Sequence, residues 1–162
     1  MQTADGMFGW LAASALGQAM RGQLWFYPIA ETIHIIGLSI LVGAVVMFDL
    51  RVLGVSKALP VDALGRHLLR WAIAALVLVV PTGVMMFSAH PHDFVTNNVF
   101  LLKLALIATA GVNALIFHVG VYRTVAAWNT SMPAPALAKF QTVLSLTIWF
   151  SVIACGRLLA YT

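Results

Sequence analysis

The 162-residue chain is 62% hydrophobic and only 9% charged, against about 25% charged residues in an ordinary soluble domain, so its natural solvent is lipid. Its net charge of +4 comes from nine Lys and Arg against five Asp and Glu; the basic residues flank apolar segments and form no aromatic-interleaved basic run, which excludes nucleic acid as a partner. The single cysteine, Cys155, excludes an intrachain disulfide and any cysteine-rich metal cluster.

Met7 to Arg21 is short and moderately apolar. Crossing hydrocarbon takes about 20 residues, so residues 7–21 are expected to form an interfacial helix anchored by Phe8, Trp10 and Leu11. The first twenty residues carry Asp5 and no Lys or Arg, so no cleavable signal peptide is expected. The first span is expected over 28–49. Trp25, Phe26 and Tyr27 precede it as an aromatic belt. Pro28 suits a first helical turn, and Gly37 and Gly43 permit close approach of a neighbour.

Arg51 to Arg66 form a short connection. The second span is expected over 68–90, kinked at Pro81-Thr82-Gly83. The stretch AHPHDFVTNN reads as a loop. The third span is expected over 99–121 and carries Lys103, Asn113 and His118. A polar loop follows, and the fourth span, 140–161, holds Gln141, Ser145, Cys155 and Arg157. With no long linker and no repeat, residues 1–162 form one domain. The expected fold is all-α: an integral membrane four-helix up-down bundle with an N-terminal interfacial helix. Arg51, Lys57, Arg66, Arg70, Arg123 and Lys139 lie in or beside the first and third connections. By the positive-inside rule those connections face the cytoplasm, and both termini face outward.

Glu31 and His34 lie inside the first apolar run, three residues apart and so about 60° apart on one helix face. Ionisable groups in hydrocarbon are costly and face a bundle interior or a water-filled cavity. At 1.5 Å per residue, Glu31 lies about 5 Å and His34 about 9 Å from the outer end, with Lys103 about 6 Å and Arg157 about 7 Å in. Three spans therefore bring ionisable groups to one level. Two cations against one carboxylate leave surplus positive charge there, which an anion such as a haem propionate, a lipid phosphate or an anionic substrate would balance. Alternatively, Lys103 and Arg157 snorkel to the headgroups, and Glu31 pairs with one of them as a lock between helices. At the inner end, Asp49 is expected to pair with Arg70 or Arg66.

Four-helix membrane cytochromes hold haem b between histidines of facing helices. Two sites are open here: an inner one on His67 and His118, and an outer one on His34 with His90, Met85 or Met86. His34, His67 and His118 are the candidate metal ligands. A carboxylate-bridged di-iron site is excluded, since it needs the Glu-x-x-His pair twice. Nucleophilic catalysis finds no support, because no Ser or Cys is spaced with both a His and a carboxylate.

The first span carries Trp25, Pro28, Glu31, His34, Gly37 and Leu38, then Asp49, Leu50, Arg51, Leu53 and Gly54. This pattern, with Thr82-Gly83, Phe87, Phe100 and Lys103, resembles a family of small bacterial inner-membrane proteins with no assigned function. The resemblance covers most of the chain and implies a four-span membrane protein with Glu31, His34, Asp49, Arg51 and Lys103 at motif positions. His67 and His118 are not among those positions, which favours the outer cluster. The general architecture is also similar to small b-type cytochromes.

The function expected is that of a small membrane redox subunit of the bacterial inner membrane, which binds haem b or a quinone headgroup in the outer-leaflet cluster of Glu31, His34, Lys103 and Arg157. The alternative is a non-catalytic accessory subunit of a larger membrane complex. Either way its partners are the bilayer and other membrane subunits or further copies of itself.

Overall fold

A computed structural model describes residues 2–130 and 132–161, with side chains from Phe8 onward. The described residues are helical and contain no strand. Four helices are long and apolar enough to cross a membrane: α3 (Phe26–Leu53), α4 (Val61–Ala89), α6 (Asn98–Val119) and α8 (Ala136–Leu158). They run alternately up and down, so the fold is an all-α four-helix membrane bundle. One end carries both termini and is here the terminal end. The other carries the two Lys- and Arg-containing connections and is the basic end.

The helices between the spans refine the sequence reading. The single helix expected over 7–21 is two, α1 (Gln2–Ala13) and α2 (Ala15–Gly22). Ser14 separates them: its hydroxyl donates to the Leu11 carbonyl at 2.6 Å and accepts from Gly17 N–H at 3.1 Å, which caps α2. The loop expected at AHPHDFVTNN contains α5 (Pro91–Thr96). A 3₁₀ turn (Val121–Thr124) and α7 (Val125–Trp128) follow α6. The spans also begin or end several residues from the expected points. α3, for example, runs on past Asp49 to Gly54, whose φ of 110° stops the helix in the left-handed conformation that glycine tolerates.

α2 docks on the terminal end of α4. Gly17 lies so close that a Cβ there would sit 2.7 Å from the Ser88 carbonyl oxygen. Arg21 donates to the Ala89 carbonyl at 2.6 Å and to that of Ala12 at 2.7 Å. Met20 is buried with Ala30 and Ala89. Phe8 meets Phe87 edge-on at 5.8 Å, whereas Trp10 is exposed.

Among the spans, α3 packs along α4, α6 along α8, and α3 along α8. The Cα atoms of α4 and α6 stay more than 8 Å apart among the described residues. That leaves a cleft between them, bridged at each end by aromatic rings. At the terminal end Phe87 stacks on Phe100 at 5.8 Å, with Phe94 alongside. At the basic end Tyr122 packs on Phe48 and Phe117 and lies against Gly65 of α4. The outer faces expose Ile35, Ile36, Val77, Leu115 and Val143, as helices bathed in hydrocarbon require.

The basic end is fastened by Arg51, which is 6% exposed. Its guanidinium donates to the carbonyls of Leu59 (2.5 Å), Lys57 (3.2 Å) and Asn129 (2.8 Å). Asn129 exchanges a reciprocal pair of hydrogen bonds with Asp62, through its amide (2.9 Å) and the Asp62 N–H (3.1 Å). Beneath lie Val52, Val61, Phe117, Trp128 and Ala138. The pairing expected for Asp49 does not form. Arg66 bonds Asp62 at 3.0 Å, the only ion pair among the described residues, and the hydrogen-bonding neighbour of Asp49 is Ser145. The lock at the basic end is thus a cation on backbone carbonyls.

Removing that cation takes the donor from three carbonyls that hold two connections together. Arg51→Ala is expected to cost about 3 kcal/mol, read as a lower thermal midpoint in detergent and faster proteolysis between 54 and 60. Arg51→Lys should restore only part, because an ammonium lacks the planar fork that reaches two connections at once.

Candidate functional site

The polar groups at the terminal end start from His34, half-buried on the face of α3 turned to α4. α3 and α4 approach closely here because Gly37 and Gly83 carry no side chain. A Cβ on Gly37 would meet Val79 Cγ2 at 2.9 Å, and one on Gly83 would meet His34 Cε1 at 3.3 Å. The ring therefore lies against bare backbone. Its Nδ1 is 3.1 Å from the Val79 carbonyl oxygen and 3.0 Å from Thr82 Oγ1. Thr82 is in turn committed, donating to the Leu78 carbonyl at 2.6 Å. That bond supports the helix one residue beyond Pro81, which supplies no N–H of its own.

These contacts fix the tautomer. A carbonyl only accepts, so Nδ1 donates and carries the proton. In the neutral ring Nε2 is then left with a lone pair, free to accept a proton or bind a metal. Orientation of one ring nitrogen by a backbone carbonyl is the arrangement that ligating histidines commonly use.

Lys103, on α6, is partly buried. Its Nζ lies beside Gly156 of α8, 3.7 Å from where a Cβ would be, and it is close enough to act electrostatically on His34. Spans α3, α4, α6 and α8 thus all contribute to the surroundings of this pair. Glu31 and Arg157, expected in the same cluster, are both exposed. Glu31 makes no ion pair among the described residues. It lies one turn from His34 on the same helix and acts on the ring only through its field. Arg157 hydrogen-bonds the Tyr161 hydroxyl and stacks on that ring, 4.8 Å from its centroid. No ion pair joins Glu31 to Lys103 or Arg157 among the described residues, and the His34 contact with Val79 and Thr82 ties α3 to α4.

His90, which closes α4, is exposed, and two further histidines stand apart. His67 is exposed, 6.5 Å from the Trp71 ring. His118 is exposed as well; its Nδ1 bonds the Ala114 carbonyl one turn back at 2.8 Å, and its ring packs on Tyr122 at 5.2 Å. No ring contact joins His67 to His118 among the described residues. Met85 and Met86 pack on the Met20–Ala30–Ala89 cluster with Tyr27. No group of three His, Cys, Asp or Glu side chains lies together among the described residues.

The model of one family matches residues 7–162, nearly the whole chain. The chain belongs to a family of unknown function, DUF6644. No curated protein and no solved structure matches it. The uncharacterised family expected from the first-span pattern is thus the level at which the chain is placed, and the site has to be read from its own chemistry.

Two features escaped the sequence reading. The partners of His34 are a backbone carbonyl and Thr82. The threonine was visible beside Pro81, where a hydroxyl is needed, but nothing in the sequence aims it at His34. A second set of polar groups, Asp49 with Gln141 and Thr142, converges near the basic end. Gln141 and Ser145 stood out as polar residues in an apolar span, and their one-turn spacing was the available signal.

Thr82→Val keeps the shape and removes the hydroxyl. It is expected to cost about 1 kcal/mol in thermal unfolding, and Thr82→Ser should recover most of that.

Proposed function

We propose that the chain is a small membrane redox subunit that binds a quinone headgroup between His34 and Lys103. The observation that carries this reading is the fixed His34 tautomer, which leaves Nε2 as an acceptor within the field of an ammonium on a facing helix. Those are the two complementary groups a quinol–quinone headgroup needs. Nε2 accepts from a quinol hydroxyl, and Lys103 Nζ donates to a carbonyl oxygen. Glu31, one turn away towards the terminal end, is suited to exchange protons with bulk solvent. Arg157, bound to Tyr161, belongs to the rim.

Haem b fits less well. His34 offers one axial imidazole with a carbonyl-bonded Nδ1, but Met85 and Met86 are engaged in packing, and α3 and α4 lie too close at Gly37 to admit a macrocycle between them. His67 and His118 are turned to separate neighbours, so the inner site lacks a facing pair. A second reading, an accessory subunit without redox chemistry, is favoured by one observation: the His34 contact is itself a tie between helices and would serve stability alone.

The basic residues on the two connections support an orientation in a bacterial inner membrane with both termini outside. The His34 site then lies in the outer leaflet, and the apolar outer faces suit the bilayer, further copies or other membrane subunits.

The test is binding of a short-tailed benzoquinone to purified protein in mild detergent, with a visible spectrum before and after dithionite. Binding is expected, weakened at least tenfold by His34→Ala and by Lys103→Met, in a protein with no Soret band. Equal binding by wild type and both variants overturns the quinone reading and leaves the accessory subunit. A Soret band lost in His34→Ala replaces quinone with haem.

A further inference from the structure

The cleft between α4 and α6 encloses about 300 Å³ in the middle and basic half of the bundle. Its walls are apolar, with Leu41, Leu76 and Ile107 among them, and its polar residues gather on the α3–α8 side. Gln141, Thr142 and Ser145 share one face of α8 through their three- and four-residue spacing, and Ser145 meets Asp49 of α3. Asn113 of α6 steadies this turn of α8 by donating to the Gln141 carbonyl at 3.0 Å.

Three buried side-chain oxygens of these residues have no hydrogen-bond partner among the described residues: Asp49 Oδ2, Gln141 Oε1 and Thr142 Oγ1. Their residues are 5%, 5% and 1% exposed. Buried polar atoms are almost always paired, and a buried carboxylate facing no cation is especially unfavourable. No Lys or Arg pairs with Asp49 among the described residues, and Arg70 is exposed. Arg51 is spent on three carbonyls and Arg66 on Asp62, while Lys139 lines a separate pocket beside Arg51.

We propose that this cleft binds a lipophilic amine, entering sideways from the bilayer between α4 and α6. A protonated primary amine carries three N–H donors and one positive charge. Three residues that line the cleft carry unpaired oxygens just beneath its wall, one of them on a carboxylate. The whole cleft holds roughly ten water volumes, and its apolar part takes an alkyl or ring body. A bare monovalent cation would leave that apolar volume unfilled, and an alcohol brings one donor and no charge. The site is separate from the one at His34 and Lys103 and does not rest on it.

The test compares decylamine with decanol at equal mole fraction in non-ionic micelles, read as the thermal midpoint of the full chain. Two variants probe the site. Asp49→Asn removes the charge. Gly111→Leu fills the cleft: Gly111 lines it, and a Cβ there meets nothing within 4 Å, so the fold should tolerate it. Decylamine is expected to raise the wild-type midpoint by several degrees more than decanol, and both variants should lose the difference. Equal shifts from amine and alcohol, or an amine-specific shift that survives in either variant, overturn the proposal. Should Asp49→Asn fail to fold, Gly111→Leu decides alone.

Discussion

The contact between His34 Nδ1 and the Val79 carbonyl joins two apolar helices by a polar bond in a medium that offers no substitute for it. α3 and α4 make the most extensive helix pair in the molecule, and they reach hydrogen-bonding distance because Gly37 and Gly83 keep their backbones bare. Thr82 completes the arrangement by supporting the helix beside Pro81 while it touches the same ring nitrogen. Replace the medium with water and the bond is worth little. In hydrocarbon, every polar group on α3 must find its partner within the chain or in a ligand.

That rule organises the buried polar groups of α3. Glu31 is exposed and the hydroxyls of Thr32 and Ser39 bond carbonyls of their own helix; the polar stations turned to other segments are His34 near the terminal end and Asp49 and Arg51 near the basic end. His34 and Arg51 are both satisfied by backbone carbonyls of other segments. One tie sets the distance to α4, and the other holds two connections to the bundle. Asp49 is the exception, with one oxygen left unpaired beside the cleft. Both candidate sites therefore arise where α3 carries a group that its own neighbours do not fully use: the Nε2 side of His34 and the Oδ2 side of Asp49.

The fold was legible because long apolar runs in a chain with 9% charge admit few structures. Span boundaries were less so. Hydropathy marks where the lipid begins, whereas α3 ends where Gly54 turns left-handed and α2 begins where Ser14 caps it. Depth could be counted at 1.5 Å per residue, but rotation about the helix axis could not. Glu31 and His34 are only about 60° apart, and that is enough to leave one exposed and turn the other onto α4. Arg51 was visible as a motif residue, yet its partners are carbonyls of Leu59, Lys57 and Asn129, whose positions carry no side-chain signature. The pairing of Asp49 with an arginine was the natural expectation from charge alone. It failed because Arg66 bonds Asp62, four residues before it on the same helix, and Arg70 is exposed.

The protonation of His34 tests the account most directly. Histidine labelled with ¹⁵N in the detergent-solubilised protein, with His34 assigned by difference against His34→Gln, reports which ring nitrogen bears the proton. A neutral ring with the proton on Nδ1 and a bare Nε2 is expected. A proton on Nε2 would contradict it, since the bond to Val79 would then not orient the ring and no lone pair would face the ligand.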